Sequence, residues 1–402
     1  MTRWLGSSYV TCVTSFPGFP GRAPAGNPIG IGQWPPYGRE MVPAELLLSG
    51  PRGRALCWSV VLGRDGGVAR LHQLATSGDA GGTRAWLLER APTLDLTALA
   101  ATSGELAFFG PLAEVVTWAV YWQEPWDAAT DRVLADAAVL DALLPVAEAI
   151  TAAPGTRWWA SPAALDGQRY AQFLGDHELP EPRLSGAAAL LETWRAGTLD
   201  DERSARDRPD DPSAAWSGHW WSSPALSGLP VTTRALPGLG AARLVLVEDS
   251  LGWRSARCWP LAPRPGVRVY EVSGPDAWAE LAGRYPLDVS RSRRHDWWRV
   301  TGWAGRWLMP DYEGVAADYD AVHVSVAGYL AAAGRALPVG DARTMLAGWE
   351  PDATWWLTDV LSPAGPPAGW AEADDPDADV RAGIGGGWRP AGRARAGGAP
   401  GH

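Results

Sequence analysis

The spacing of apolar and polar positions divides the chain into two halves with different periods. Between Met41 and Leu199 apolar residues recur every three or four positions, most clearly over 105–122 and 127–153, which predicts helices. Ser49 and Pro51 stand where a cap and a first-turn proline would precede Leu56, Trp58 and Val61. After residue 213 the period shortens. The segments 243–247 (RLVLV), 267–272 (VRVYEV) and 322–326 (VHVSV) are short, rich in branched side chains and bounded by Gly, Pro or Asp, which predicts strands. A helix is predicted between the last two. Ser273 and Asp276 have capping-box spacing, Pro275 suits a first turn, and Trp278, Leu281, Ala282 and Tyr285 share one face. The expected fold class is α+β, with a helix-rich N-terminal half and a mixed or antiparallel β-sheet domain with packed helices in the C-terminal half.

The same patterning sets the expected boundaries. Residues 1–40 are rich in Gly and Pro and show no period, so they are expected to be disordered, or a mis-assigned extension if Met41 is the true start. A mainly helical domain over 41–199 is followed by a charged linker at 200–213, which includes DDERSARDRPDDP, and by an α+β domain over 214–361. Residues 362–402, acidic and then Gly/Arg-rich, are expected to be a disordered tail. The pattern WWxSPA occurs at 158–163 and again at 220–225; it marks either a duplicated strand-turn element or a coincidence of composition.

Composition narrows the chemistry. With 46% hydrophobic and 20% charged residues the 402-residue chain can bury a core, and no run of apolar residues reaches the length of a membrane span. All 35 basic residues are arginine. The absence of lysine removes the phosphate-binding lysine of P-loops, Schiff-base chemistry and the strand lysine of protein kinases. Scarce Lys, Asn and Ile beside abundant Ala, Gly, Pro, Arg and Trp fit a high-GC bacterial genome. A net charge of −10 argues against nucleic acid as a partner. The three cysteines, Cys12, Cys57 and Cys258, form no paired framework, and the first residues are too polar for a secretory core, so a cytoplasmic location is expected.

The candidate chemistry lies in the second half. Twenty-five tryptophans include adjacent pairs at 158/159, 220/221, 297/298 and 355/356; on a strand one member of each pair would enter the core and the other would face solvent or a ligand. Around residue 323 the alternation puts His323 and Ser325 on one strand face with Ala321, opposite the valines, which makes His323 a candidate proton carrier with Asp320 orienting it. Arg268 is a candidate clamp for a carboxylate or phosphate. The basic-aromatic run 291–299 (RSRRHDWWR) adds Arg294 and Trp298 as candidate anion and stacking residues. A half-buried histidine satisfied inside the sheet and arginines paired with acids are the structural alternatives. No nucleophile elbow, zinc spacing or dinucleotide loop is present, six dispersed histidines argue for no metal, and no spacing names a cofactor. Two readings follow. One is an enzyme acting on a polar, planar or anionic small molecule, nucleotide- or glycan-like, in a Trp-lined cleft; the other is a non-catalytic accessory protein binding a protein partner through a Trp-rich surface.

Overall fold

The structure is a computed structural model and describes residues 42–63, 80–117, 127–175, 180–248, 252–372 and 387–391, all within one compact unit that spans residues 34–402. Expectations for residues 1–40 lie outside the described residues. The helical half begins with α1 (Ala44–Ser49) and α2 (Pro51–Leu62), then α3 (Ala80–Arg90), α4 (Leu96–Ala100), α5 (Phe109–Thr117), α6 (Asp127–Leu134) and α7 (Ala137–Ala152). Pro51 opens α2 as expected, but the cap position belongs to Gly50; Ser49 ends α1 and donates its hydroxyl to the Leu46 carbonyl. The 127–153 periodicity resolves into two helices because Asp136 breaks it, accepting from the backbone N–H groups of Ala138 and Val139 as the cap of α7. Among the described residues no single helix is long and apolar enough to cross a membrane.

A 3₁₀ segment at Pro154–Ala160 leads to β1 (Gln168–Leu174), and α8 (Ala187–Ser204) follows. The remaining elements are β2 (Val231–Arg234), β3 (Ser255–Pro263), β4 (Val269–Val272), α9 (Pro275–Arg284), β5 (Pro286–Asp288), α10 (Arg294–Thr301), β6 (Leu308–Pro310), α11 (Tyr312–Asp318), β7 (Ala321–Val324), α12 (Val326–Ala332), β8 (Leu337–Val339), β9 (Ala342–Thr344), β10 (Ala353–Trp356), β11 (Leu361–Pro363), β12 (Ala368–Glu372) and β13 (Trp388–Pro390). The fold is α+β. Among the described residues its main sheet has nine strands in the order β13-β12-β3-β1-β2-β10-β7-β4, with β11 also paired to β3, and is antiparallel except for the parallel pair β4 and β7.

Several segments depart from the expectations above, each for an identifiable reason. The apolar run 243–247 is a 3₁₀ turn and loop, not a strand; Leu244, Val245, Leu246 and Val247 are all buried, and a short buried apolar run carries no period that separates strand from loop. Helix α9 forms where expected and buries Trp278, Leu281 and Ala282, yet its cap is Gly274 with no side-chain bond, so the Ser273–Asp276 capping box is not made. The stretch 200–213 is not an open solvated linker at its start. Asp200 to Ser204 finish α8, and Asp201 is enclosed between Arg208 and Arg293. Burial pushes the Asp201 carboxyl up, but His219, Arg293 and Arg208 together hold it well below the usual carboxylate range. One apolar cluster runs from Leu56, Trp58 and Ile150 through Val322, Val324 and Trp278, so the helical half and the sheet share a core. The expected disordered tail contributes β12 and β13, whose Trp370 and Trp388 are buried; a period-2 signal of three to five residues was too short to stand out.

Tryptophan serves mainly as core. Trp58, Trp159, Trp278, Trp297, Trp307, Trp349 and Trp356 are fully buried, and edge-to-face contacts join Trp278 to Trp349 and Trp297 to Trp307. Only the 355/356 pair lies on a strand, and both of its members are buried because that strand is covered on both faces. The two WWxSPA copies differ: Trp159 is buried in the first, in a 3₁₀ turn, whereas Trp220 is the buried member of the second, in irregular chain.

Two outcomes are expected. Trp278→Ala should cost about 3 to 5 kcal/mol in urea unfolding, as a large core truncation. A chain ending at Ser362 should unfold at clearly lower urea than the full chain, because it loses β12 and β13 and uncovers the side of β3 that pairs with β12.

Candidate functional site

Strand β7 is buried at all four positions. The expected alternation holds within it: Val322 and Val324 join the main core, and His323 faces the other side with Ala321, which packs in a smaller cluster with Trp356 and Trp259. Strand register then decides the neighbours of His323. Glu271 of β4 lies opposite it on one side and Thr354 of β10 on the other, and Thr354 in turn lies opposite Thr232 of β2. Cross-strand partners share a face, so these four side chains form a polar row across the sheet.

Each member except one nitrogen finds a partner. His323 Nδ1 and Thr354 Oγ1 are 2.9 Å apart. Thr232 donates to Gln168 Oε1 and accepts from Trp356 Nε1 at 2.7 Å, while Gln168 Nε2 donates to the Ala164 carbonyl at 2.9 Å. His323 Nε2 is buried without a hydrogen bond, with Glu271 Oε2 and Asp352 Oδ1 each 3.9 Å away. Asp352 sits in the turn before β10 at φ +63°, a left-handed conformation that Asp tolerates better than most residues. Its carboxylate accepts from the backbone N–H of Arg234 at 2.8 Å and from Arg234 Nε at 2.7 Å. The 158–164 segment closes over this end of the row. Ala163 N–H donates to Glu271 Oε1 at 3.1 Å, and the Arg234 guanidinium lies 4.7 Å from the centre of the Trp158 ring.

The electrostatics follow from enclosure. Burial, aided by the nearby Arg234 charge, pushes the His323 imidazole down to about 3, so it is neutral throughout the physiological range. Burial pushes the Asp352 carboxyl up against the pull of Arg234. Glu271 is the half-exposed member: burial, with Asp352 beside it, raises its carboxyl to about 7 in spite of the Ala163 N–H. Of the titrating groups in the row, Glu271 exchanges a proton near neutrality and His323 does not.

The other sequence candidates are placed elsewhere. Asp320 immediately precedes β7, three residues before His323 and about 10 Å from it along the extended chain. It accepts from the Arg268 N–H and from Thr358 Oγ1, each at 2.9 Å, and pairs more loosely with the Arg264 and Arg268 guanidiniums. Arg268 is thus engaged by Asp320 at the strand entry and does not reach the row. Ser325 is not on the strand: it caps α12, accepting from the Gly328 N–H at 3.0 Å, because the chain turns into a helix one residue after Val324. Arg294 donates to Asp210 Oδ1 at 2.6 Å and to the Pro209 carbonyl at 2.8 Å, and Trp298 is half-buried on α10. Among the described residues no hydrogen bond or ion pair joins the 291–299 run to His323, Ser325 or Arg268.

Sequence reasoning missed Glu271, Asp352 and Thr354 as neighbours of His323, and with them Arg234, which Asp352 holds against Trp158. The only available signal was two Thr-containing strand segments, VTTR, which ends in Arg234, and ATWW, which Asp352 precedes. No family model, curated protein or solved structure matches the chain. The fold and the polar row define an α+β protein with a buried titratable cluster at one edge of its sheet.

The His323 environment has a pH signature. A folded-state pKa below the unfolded value of about 6.5 contributes stability that is present above pH 6.5 and lost as pH falls toward 3. His323→Gln keeps a group that can bond Thr354 but cannot be protonated. The difference in unfolding free energy between this variant and the parent, from urea curves at successive pH values, should therefore shift in favour of the variant as pH drops from 7 to 4.

Proposed function

We propose that the protein is an enzyme acting on a polar, planar or anionic small molecule at the Glu271 end of the polar row. Glu271 is the proton carrier in this reading, in place of His323. The observation that supports it is the half-exposed Glu271 carboxyl held near 7 beside Asp352 and His323. Acid–base groups work best when their pKa lies near the working pH, and such perturbed clusters concentrate at functional sites. Arg234, fixed by Asp352 and stacked on Trp158, supplies the charge and the aromatic face that would hold a nucleotide- or glycan-like ligand. The buried His323, Thr354 and Thr232 would then act as the rigid backing of the site.

A second reading, a non-catalytic protein that binds a protein partner, is favoured by one observation: Trp216 and Leu226, 43% and 78% exposed, lie on the same irregular stretch between α8 and β2. Exchange of both for Ser would abolish partner binding in that reading and leave small-molecule binding untouched.

The test is a thermal-shift screen of nucleotides, sugars and small carboxylates against the parent and Glu271→Gln. A ligand should raise the parent's melting temperature with a pH dependence centred near 7, and Glu271→Gln should fold but lose that dependence. A ligand response identical in both proteins would remove Glu271 from the site. The variant also reports on linkage. Because the folded-state pKa is raised, the Glu271 contribution is present below about pH 4.5 and lost as pH rises through 7, so Glu271→Gln should match the parent at pH 4.5 and melt higher at pH 8.5.

A further inference from the structure

The sequence candidate for an anion clamp, Arg268, pairs loosely with Asp320, whereas two more enclosed arginines have no carboxylate partner among the described residues. Arg54 on α2 and Arg335, three residues beyond α12, meet at the corner between α1 and α2. This corner is pressed against α12: a Cβ on Gly50 would lie 2.2 Å from the Leu330 carbonyl oxygen, so only glycine fits there. Arg54 Nη1 donates to the Leu48 and Ser49 carbonyls at 3.2 and 3.4 Å, and Arg335 Nη1 donates to Ser49 Oγ at 3.1 Å and to the Ala331 carbonyl at 2.9 Å. Ser49 is therefore touched by both guanidiniums.

Neither arginine forms an ion pair with a carboxylate among the described residues. That sets them apart from other enclosed arginines: Arg234, Arg243 and Arg293 each meet a carboxylate oxygen within 3.0 Å, and Arg52 on the same helix pairs with Asp131. Arg54 Nε is buried with no hydrogen-bond partner, and neither side chain engages Nη2. Burial lowers the pKa of both, and the Arg54 charge helps bring Arg335 down to about 10. Asp276 and Asp131 act on them only at a distance.

We propose that Arg54 and Arg335 form an anion site at the α1–α2 corner that takes the phosphoryl group of a small molecule. Two partly enclosed cations without a counter-ion are costly, and an anion that bridges them removes that cost. Each guanidinium keeps its Nε/Nη2 edge uncommitted, the edge that binds two oxygens side by side. Two such edges call for more oxygens than the pair on a planar carboxylate and match a tetrahedral phosphoryl group. The site is independent of the Glu271 reading, and neither stands or falls with the other.

The experiment uses the full chain, melted in chloride and in inorganic phosphate or ribose 5-phosphate at matched ionic strength, with Arg54→Gln and Arg335→Gln alongside. The parent should melt progressively higher as phosphate or ribose 5-phosphate is added, by mass action on the folded state, and both variants should lose at least tenfold in apparent affinity. In chloride the variants should melt no lower than the parent, since each loses an uncompensated charge. Tighter binding of ribose 5-phosphate than of phosphate would identify a phosphorylated small molecule as the occupant; equal binding would identify free phosphate. Should a Gln variant fail to fold, Arg335→Lys carries the test: it keeps the charge without the fork and should still lose most of the phosphate response. A parent indifferent to both ligands overturns the proposal. So do variants that respond as the parent does, which would make the arginines braces for the helix ends.

Discussion

Enclosure of β7 on both faces is the constraint on which the rest of the structure depends. A strand with no access to water can carry a histidine only if neighbouring strands supply polar neighbours; β10 supplies a hydrogen-bond partner in Thr354, and β4 places Glu271 Oε2 3.9 Å from Nε2. The polar row then requires β10 to sit between β7 and β2, so that Thr354 continues into Thr232, Gln168 and Trp356. The valines on the opposite face tie the same strand to the main core, which reaches Trp278 and the helical half. One strand thus couples the main apolar core of the molecule to its buried polar row.

The charge distribution follows from the exclusive use of arginine. A guanidinium brings five donors and stays charged when enclosed, so each burial creates a demand for oxygen atoms. Asp352, Glu350 and Asp201 meet that demand for Arg234, Arg243 and Arg293. These pairs join segments far apart in sequence, and the Arg293–Asp201 pair makes the charged stretch after Leu199 partly structural instead of a solvated connection. Tryptophan has a comparable role on the apolar side. Its large rings fill the space between sheet and helices, and its abundance reports on the core more than on any surface.

Period and composition were enough to determine much about this protein: the α+β class, the helix at 275–284 with Trp278 inward, the alternation of Ala321 to Val324, and the loss of every lysine-dependent mechanism. These are local properties, written in side-chain spacing over one or two turns or a few strand residues. Which residues His323 meets was decided by the tertiary structure alone. Asp352 and Arg234 lie 29 and 89 positions away from it, in segments whose own periodicity says nothing about register, and Asp320, its near neighbour in sequence, is carried away by the extension of the strand. The same holds for Ser325, where helix initiation at Val326 overrode the alternation, and for β12 and β13, too short to show a period. Strand pairing is a long-range choice made by the whole core, and only that choice turned Glu271 from an unremarked edge residue into a titrating group held near neutrality.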